Sequence, residues 1–112
     1  MLTRERIKNV PFSRPVEVSR LVRHRKGKVV SRPLARNSHV DITLFALDQG
    51  EELGSNAVHG DVMVHVLEGE VRLNIGGKEV QSGPGQMVVM PADVPHTVKA
   101  AAPAKLVFTV VC

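Results

Sequence analysis

Gly85-Gln-Met-Val-Val-Met-Pro-Ala-Asp-Val-Pro-His96 is the stretch on which the fold reading turns. Gly85 opens it where the backbone needs conformational freedom. Met87 to Met90 is too short for a helix and suits a strand, expected to be buried on both faces. Pro91 closes that strand, and Pro95 stiffens the corner before His96 by fixing its own φ and removing a donor. The segment therefore delivers one imidazole from a rigid turn into the start of the next strand.

Outward from this stretch, short strands with glycine or proline at their corners recur. Val62 to Leu67 is an almost unbroken apolar run, and Glu68-Gly69 marks a tight turn or bulge. Val71, Leu73 and Ile75 then alternate with Arg72 and Asn74, the signature of a strand with one wet face. Gly76-Gly77 closes a hairpin onto Lys78 to Gln81. His96 to Ala101 and Lys105 to Cys112 follow, separated by Ala102-Pro103. Upstream, His39 to Leu47 reads as a strand ending at Asp48-Gln49-Gly50, and Glu51 to Gly60 as a loop. Lys28 to Ala35 reads as an edge strand interrupted by Pro33. Val16 to Val22 fits a short strand or one helical turn, and no pattern supports a helix of three turns. Eight or nine strands in 112 residues predict an all-β sandwich or barrel.

The composition limits the interior and the chemistry. With no Trp, no Tyr and three Phe, the core must be filled by aliphatic residues and Met, and a pocket within it would be smooth and apolar. One cysteine, Cys112, leaves no internal disulfide and no thiolate metal cluster. The charged start and the lack of a long apolar run predict neither a signal peptide nor a membrane span, so the cytoplasm is the expected location. Residues 1–36 carry eleven Lys or Arg against two Glu, whereas residues 37–112 carry four against nine acidic residues. The chain divides accordingly into a basic N-terminal arm with an edge strand, 1–36, and a barrel, 37–112. Such an arm suits contact with nucleic acid or another anion. It equally suits a solvated arm or an edge packed on the acidic body of a second subunit. The absence of interleaved aromatics and of a helix-turn-helix pattern makes nucleic acid the weaker expectation.

The spacing Gly85, Pro91, Asp93, His96 resembles the second motif of the cupins, with Asp93 at a glycine position. Asp is among the few side chains that tolerate a left-handed backbone. Val66-Leu67-Glu68-Gly69-Glu70 resembles the end of the first motif. The resemblance spans roughly Ile42 to Val111. It implies the cupin double-stranded β-helix, a jelly-roll barrel here preceded by an extended arm, usually as a homodimer. It also implies a metal site of His-x-His, Glu and a late His inside the barrel. In this chain the matching positions hold Asn56, Val58, Val62 and His96. His59 and His65 are the candidates to join His96 on a divalent Fe, Mn, Ni or Zn ion. Strict alternation from Val62 points His65 away from that residue's face, so a bulge would be needed to turn it inward. Otherwise His96 is a hydrogen-bonded pocket residue and the other two have surface or core roles. Asn56, Met63 and Met87 are expected to line the pocket, and His24 and His39 to face solvent. Cupin epimerases of nucleotide sugars are expected to use a Tyr acid, which this chain lacks.

Three functions follow as expectations. One is a barrel binding a small, mostly apolar molecule with His96 as polar anchor. Another is a metal-dependent oxygenase or isomerase using His59, His65 and His96. The third is a regulatory module whose arm touches nucleic acid.

Overall fold

The computed structural model describes residues 6–54 and 57–112. Among the described residues nine strands form two antiparallel sheets: β1 (Val29–Arg36), β2 (Val40–Leu47), β3 (Glu52–Leu53), β4 (Asp61–Glu68), β5 (Val71–Ile75), β6 (Lys78–Ser82), β7 (Met87–Met90), β8 (His96–Ala100) and β9 (Ala104–Val111). One sheet has the order β1-β2-β9-β4-β7 and the other β3-β8-β5-β6. Only β1-β2 and β5-β6 are both consecutive in sequence and adjacent, so elsewhere the chain crosses between sheets, as a jelly roll requires. Of the expected elements, the Glu51–Gly60 loop differs: it contains the short strand β3, which pairs with β8.

Period-two alternation builds the core between the sheets. In β4, Val62, Val64 and Val66 are fully buried, while Asp61 and His65 on the other face are exposed. Val71 and Leu73 of β5, Val98 and Ala100 of β8, and Ala104 and Leu106 of β9 join them in one apolar cluster. Each buried Val or Leu stabilises the fold by roughly 1.5–3 kcal/mol. Gly69 makes the turn between β4 and β5 at φ 77°, and a Cβ there would overlap the Pro103 carbonyl oxygen and meet the Ala104 Cα at 2.8 Å.

A second apolar cluster lies on the opposite face of the five-stranded sheet. There Val22 of the arm is buried with Leu44 and Ala46, and Leu21, Leu67 and Val107 pack around them. The arm reaches this position through one 3-10 turn, Val18–Leu21. Lys105 Nζ donates to the Ser19 carbonyl at 2.7 Å, fixing the arm across the sheet. Part of the basic arm is thus docked on its own sheet rather than freely solvated.

β7 corrects the expectation for the opening stretch. It is an edge strand whose outer face is bare: Met87 is 55% and Val89 54% exposed, whereas Met90 is fully buried. The apolar run there reflects one core face and one exposed apolar face. β1 is the other edge of the same sheet, and its pairing with β2 breaks register between Pro33 and Ala35.

A candidate ligand site at the barrel mouth

The two ends of the barrel differ. At one end, Leu47, Val66, Val71, Ala100 and Ala104 are closed from solvent, and Gly50 N donates to the Ala100 carbonyl at 2.8 Å across the sheet junction. Toward the end where β8 begins, Val58, Ile75, Phe108 and Val110, packed against the same core, keep partial exposure. His96, the first residue of β8, lies at that end and borders a concavity of about 410 Å³ together with Asn74, Gly76, Gly77, Pro95 and Thr97.

His96 is 5% exposed and opposes Ile75 in the β5–β8 register. Its ring lies 6.2 Å from that of Phe108, the planes inclined by 49°. Phe108 in turn meets Phe45 edge to face at 5.9 Å. The Pro95 carbonyl before His96 accepts a bond from Gly76 N at 2.9 Å, so the β5–β6 hairpin braces the corner. Neither Nδ1 nor Nε2 of His96 has a hydrogen-bond partner among the described residues. Burial lowers the pKa of this imidazole below the usual histidine value, because the charged ring would lose its hydration. A neutral imidazole offers one donor and one acceptor, and here both are unmet.

The other predicted histidines lie elsewhere. His59 points outward, its side chain 98% exposed, and Nδ1 meets Asp93 Oδ1 at 2.8 Å. Asp93 N donates to the Val58 carbonyl at 2.7 Å and Ala92 N to Asp61 Oδ1 at 2.9 Å. The loop before β4 is thereby tied to the turn before β8, with Asp93 at φ 64° as its left-handed residue. His59 thus belongs to the clasp outside the mouth. His65 is exposed, opposite Met87 and beside Val107 on the outer face of β4. The irregularity in β4 falls between Val66 and Glu68, after His65, and does not turn it inward. Met63 and Met87 share that outer face, so neither lines the interior, contrary to expectation. Asn56 lies outside the described residues. His24 and His39 are exposed, as expected.

Among the described residues no group of three His, Cys, Asp or Glu side chains is placed to hold a metal ion. The donor set inside the barrel comprises His96 alone among the three candidate histidines, and one imidazole does not fit a transition-metal centre. Residues that sequence reasoning missed include Phe45 and Phe108, whose alternation with Leu47 and Leu106 would have placed them inside. Thr43 was missed too: it is 2% exposed, opposes Phe108, and donates its hydroxyl to Asp41 Oδ1 at 2.8 Å. No helix among the described residues is long and apolar enough to cross a membrane.

Comparison with known proteins agrees with this architecture. Residues 43–112 match the model of the cupin domain, and the chain belongs to the cupin family. No curated protein matches it. A conserved protein of unknown function from Streptococcus pyogenes superposes with a TM-score of 0.95 at 29% identity, over 98% of this chain and 96% of that one. A cupin superfamily protein from Desulfitobacterium hafniense gives 0.90 at 26%, over 96% and 98%. A Thermus thermophilus protein gives 0.75 at 31%, over 87% and 96%.

Proposed function

We propose that this cupin is a binding barrel whose mouth takes a small, mostly apolar and uncharged molecule, with His96 as the polar anchor. The observation that supports it is the pair of unpartnered ring nitrogens on a buried imidazole flanked by Phe108. A buried polar group without a partner costs roughly 1–3 kcal/mol, and a ligand carbonyl or hydroxyl would relieve that cost. A charged ligand is disfavoured, since the imidazole resists the proton that would pair with an anion, and its neighbours Phe108 and Ile75 are apolar. Phe108, with Phe45 packed edge to face behind it, offers an aromatic surface beside the imidazole.

Thermal unfolding with a panel of neutral alcohols and ketones tests this reading, with parallel arms containing Fe, Mn, Ni or Zn. The expected result is a rise in Tm with members of the panel for the native chain, absent in His96→Leu. Stoichiometric metal uptake that is lost in both His59→Ala and His96→Leu would overturn it in favour of a metal-dependent enzyme.

A further inference from the structure

A second concave site lies where the arm passes the free edge of β1. It is a recess of about 590 Å³ whose lining includes Arg20, Arg23, His24, Arg25 and Arg32 and no carboxylate. Concentrating cations in one concavity is unfavourable unless the backbone forces it or an anion rewards it.

The backbone here is held from several sides. Val22, between Arg20 and Arg23, is only 3% exposed, and Lys105 holds the Ser19 carbonyl. Beyond the recess, Gly27 N donates to Asp48 Oδ2 at 2.6 Å. The cations are therefore presented from an anchored segment.

Their charge is poorly compensated. Arg20 approaches Glu17 at 3.4 Å, but both side chains are more than two-thirds exposed, so water weakens the pair. Arg32 donates Nε and Nη2 to the Asn9 carbonyl at 2.9 and 2.7 Å, which orients the guanidinium without neutralising it. Arg23 and Arg25 form no ion pair among the described residues.

We propose that this recess binds a small phosphate-bearing molecule. Planar guanidinium groups pair bidentately with phosphate oxygens, and several arginines lining one concavity suit a phosphomonoester or diphosphate. Among the described residues no Phe, Tyr or Trp lines the recess, so recognition falls chiefly on the phosphate. The site is independent of the barrel mouth.

Titration calorimetry with inorganic pyrophosphate tests it, using the full chain, an Arg23→Ala/Arg25→Ala variant and Arg14→Ala as a control outside the recess. Saturable one-to-one binding is expected, weakened at least about tenfold in the double variant, unchanged in the control, with circular dichroism confirming that both fold. Equal weakening in both variants, or no saturable binding to the native chain at low salt, would overturn the proposal. So would preferential binding of duplex DNA with a steep salt dependence that Arg14→Ala also weakens, which would make the arm a general polyanion contact.

Discussion

The rings of His96 and Phe108 lie 6.2 Å apart, with planes tilted by 49°, where the barrel core gives way to its partly exposed apolar mouth. A polar ring is thus set against an apolar one in a place where hydration is restricted. This placement makes stability depend on pH. Burial lowers the folded-state pKa of His96, so below the unfolded value of about 6.5 the unfolded chain takes up a proton that the folded chain refuses. Stability is intact above that value and falls as the pH drops through the window below it. Chemical denaturation at a series of pH values should show the decline, and His96→Leu should flatten it.

Asp48 acts in a lower window. The Gly27 N–H, first, and the Gln49 N–H lower its pKa below the ordinary carboxylate value. Its contribution is present above the unfolded value of about 3.9 and is lost as the pH falls through the folded one. Asp48→Asn should therefore alter the denaturation profile near and below pH ~4, leaving the His96 window unchanged.

Two methionines of one strand should behave oppositely. Met90 is fully buried against the core and Met87 is 55% exposed on the outer face. Met90→Ala should cost about 2–5 kcal/mol in urea unfolding, and Met87→Ala about 0.5 kcal/mol or less when measured on the monomer at low protein concentration. Equal effects would contradict the one-sided placement of β7.

Gly69 turns the chain where a Cβ has no room beside Pro103 and Ala104, at a φ of 77°. Gly69→Ala should destabilise by about 2 kcal/mol or more, through strain and overlap together. Urea unfolding checks this, with Gly27→Ala as a comparison: that glycine has a similar φ of 67° with open space around it, so its cost should be smaller.

These contrasts show what could be read from the sequence. The alternation of polar and apolar residues around Leu73 announces which face is buried, and Asp93 and Gly69 mark turns that few residues can make. The environment of the outer face was not legible. Met87 and Val89 look like core residues because periodicity reports side-chain type, not what another element covers. His59 was similarly opaque: its outward direction depends on a pairing with Asp93, 34 positions away. His65 followed strict alternation, and the direction of its side chain was readable from Val62 alone.

The exposed row on that face supports a proposal about assembly. Met87, Val89 and Val111 are each more than half exposed on the outer face of the five-stranded sheet, and β7 leaves a free edge. We propose a second copy of the chain as their partner, giving a homodimer in which apolar faces and strand edges leave water together. Sedimentation should show a species of twice the 12.2 kDa chain mass. Met87→Glu with Val89→Glu should shift it toward the monomer, and a native chain sedimenting solely as the monomer would refute the proposal.

Among the three candidate histidines His96 alone faces the barrel interior, where we propose that it serves as a neutral anchor. Long-range proton–nitrogen NMR of the imidazole rings, recorded across pH with and without cyclohexanone, tests it most directly. His96 should titrate below the usual histidine value, and its ring nitrogens and the Ile75 and Val110 methyls should respond to the ketone while His59 and His65 do not. A His96 that titrates normally and ignores the ketone, or a response centred on His59 or His65, would contradict it.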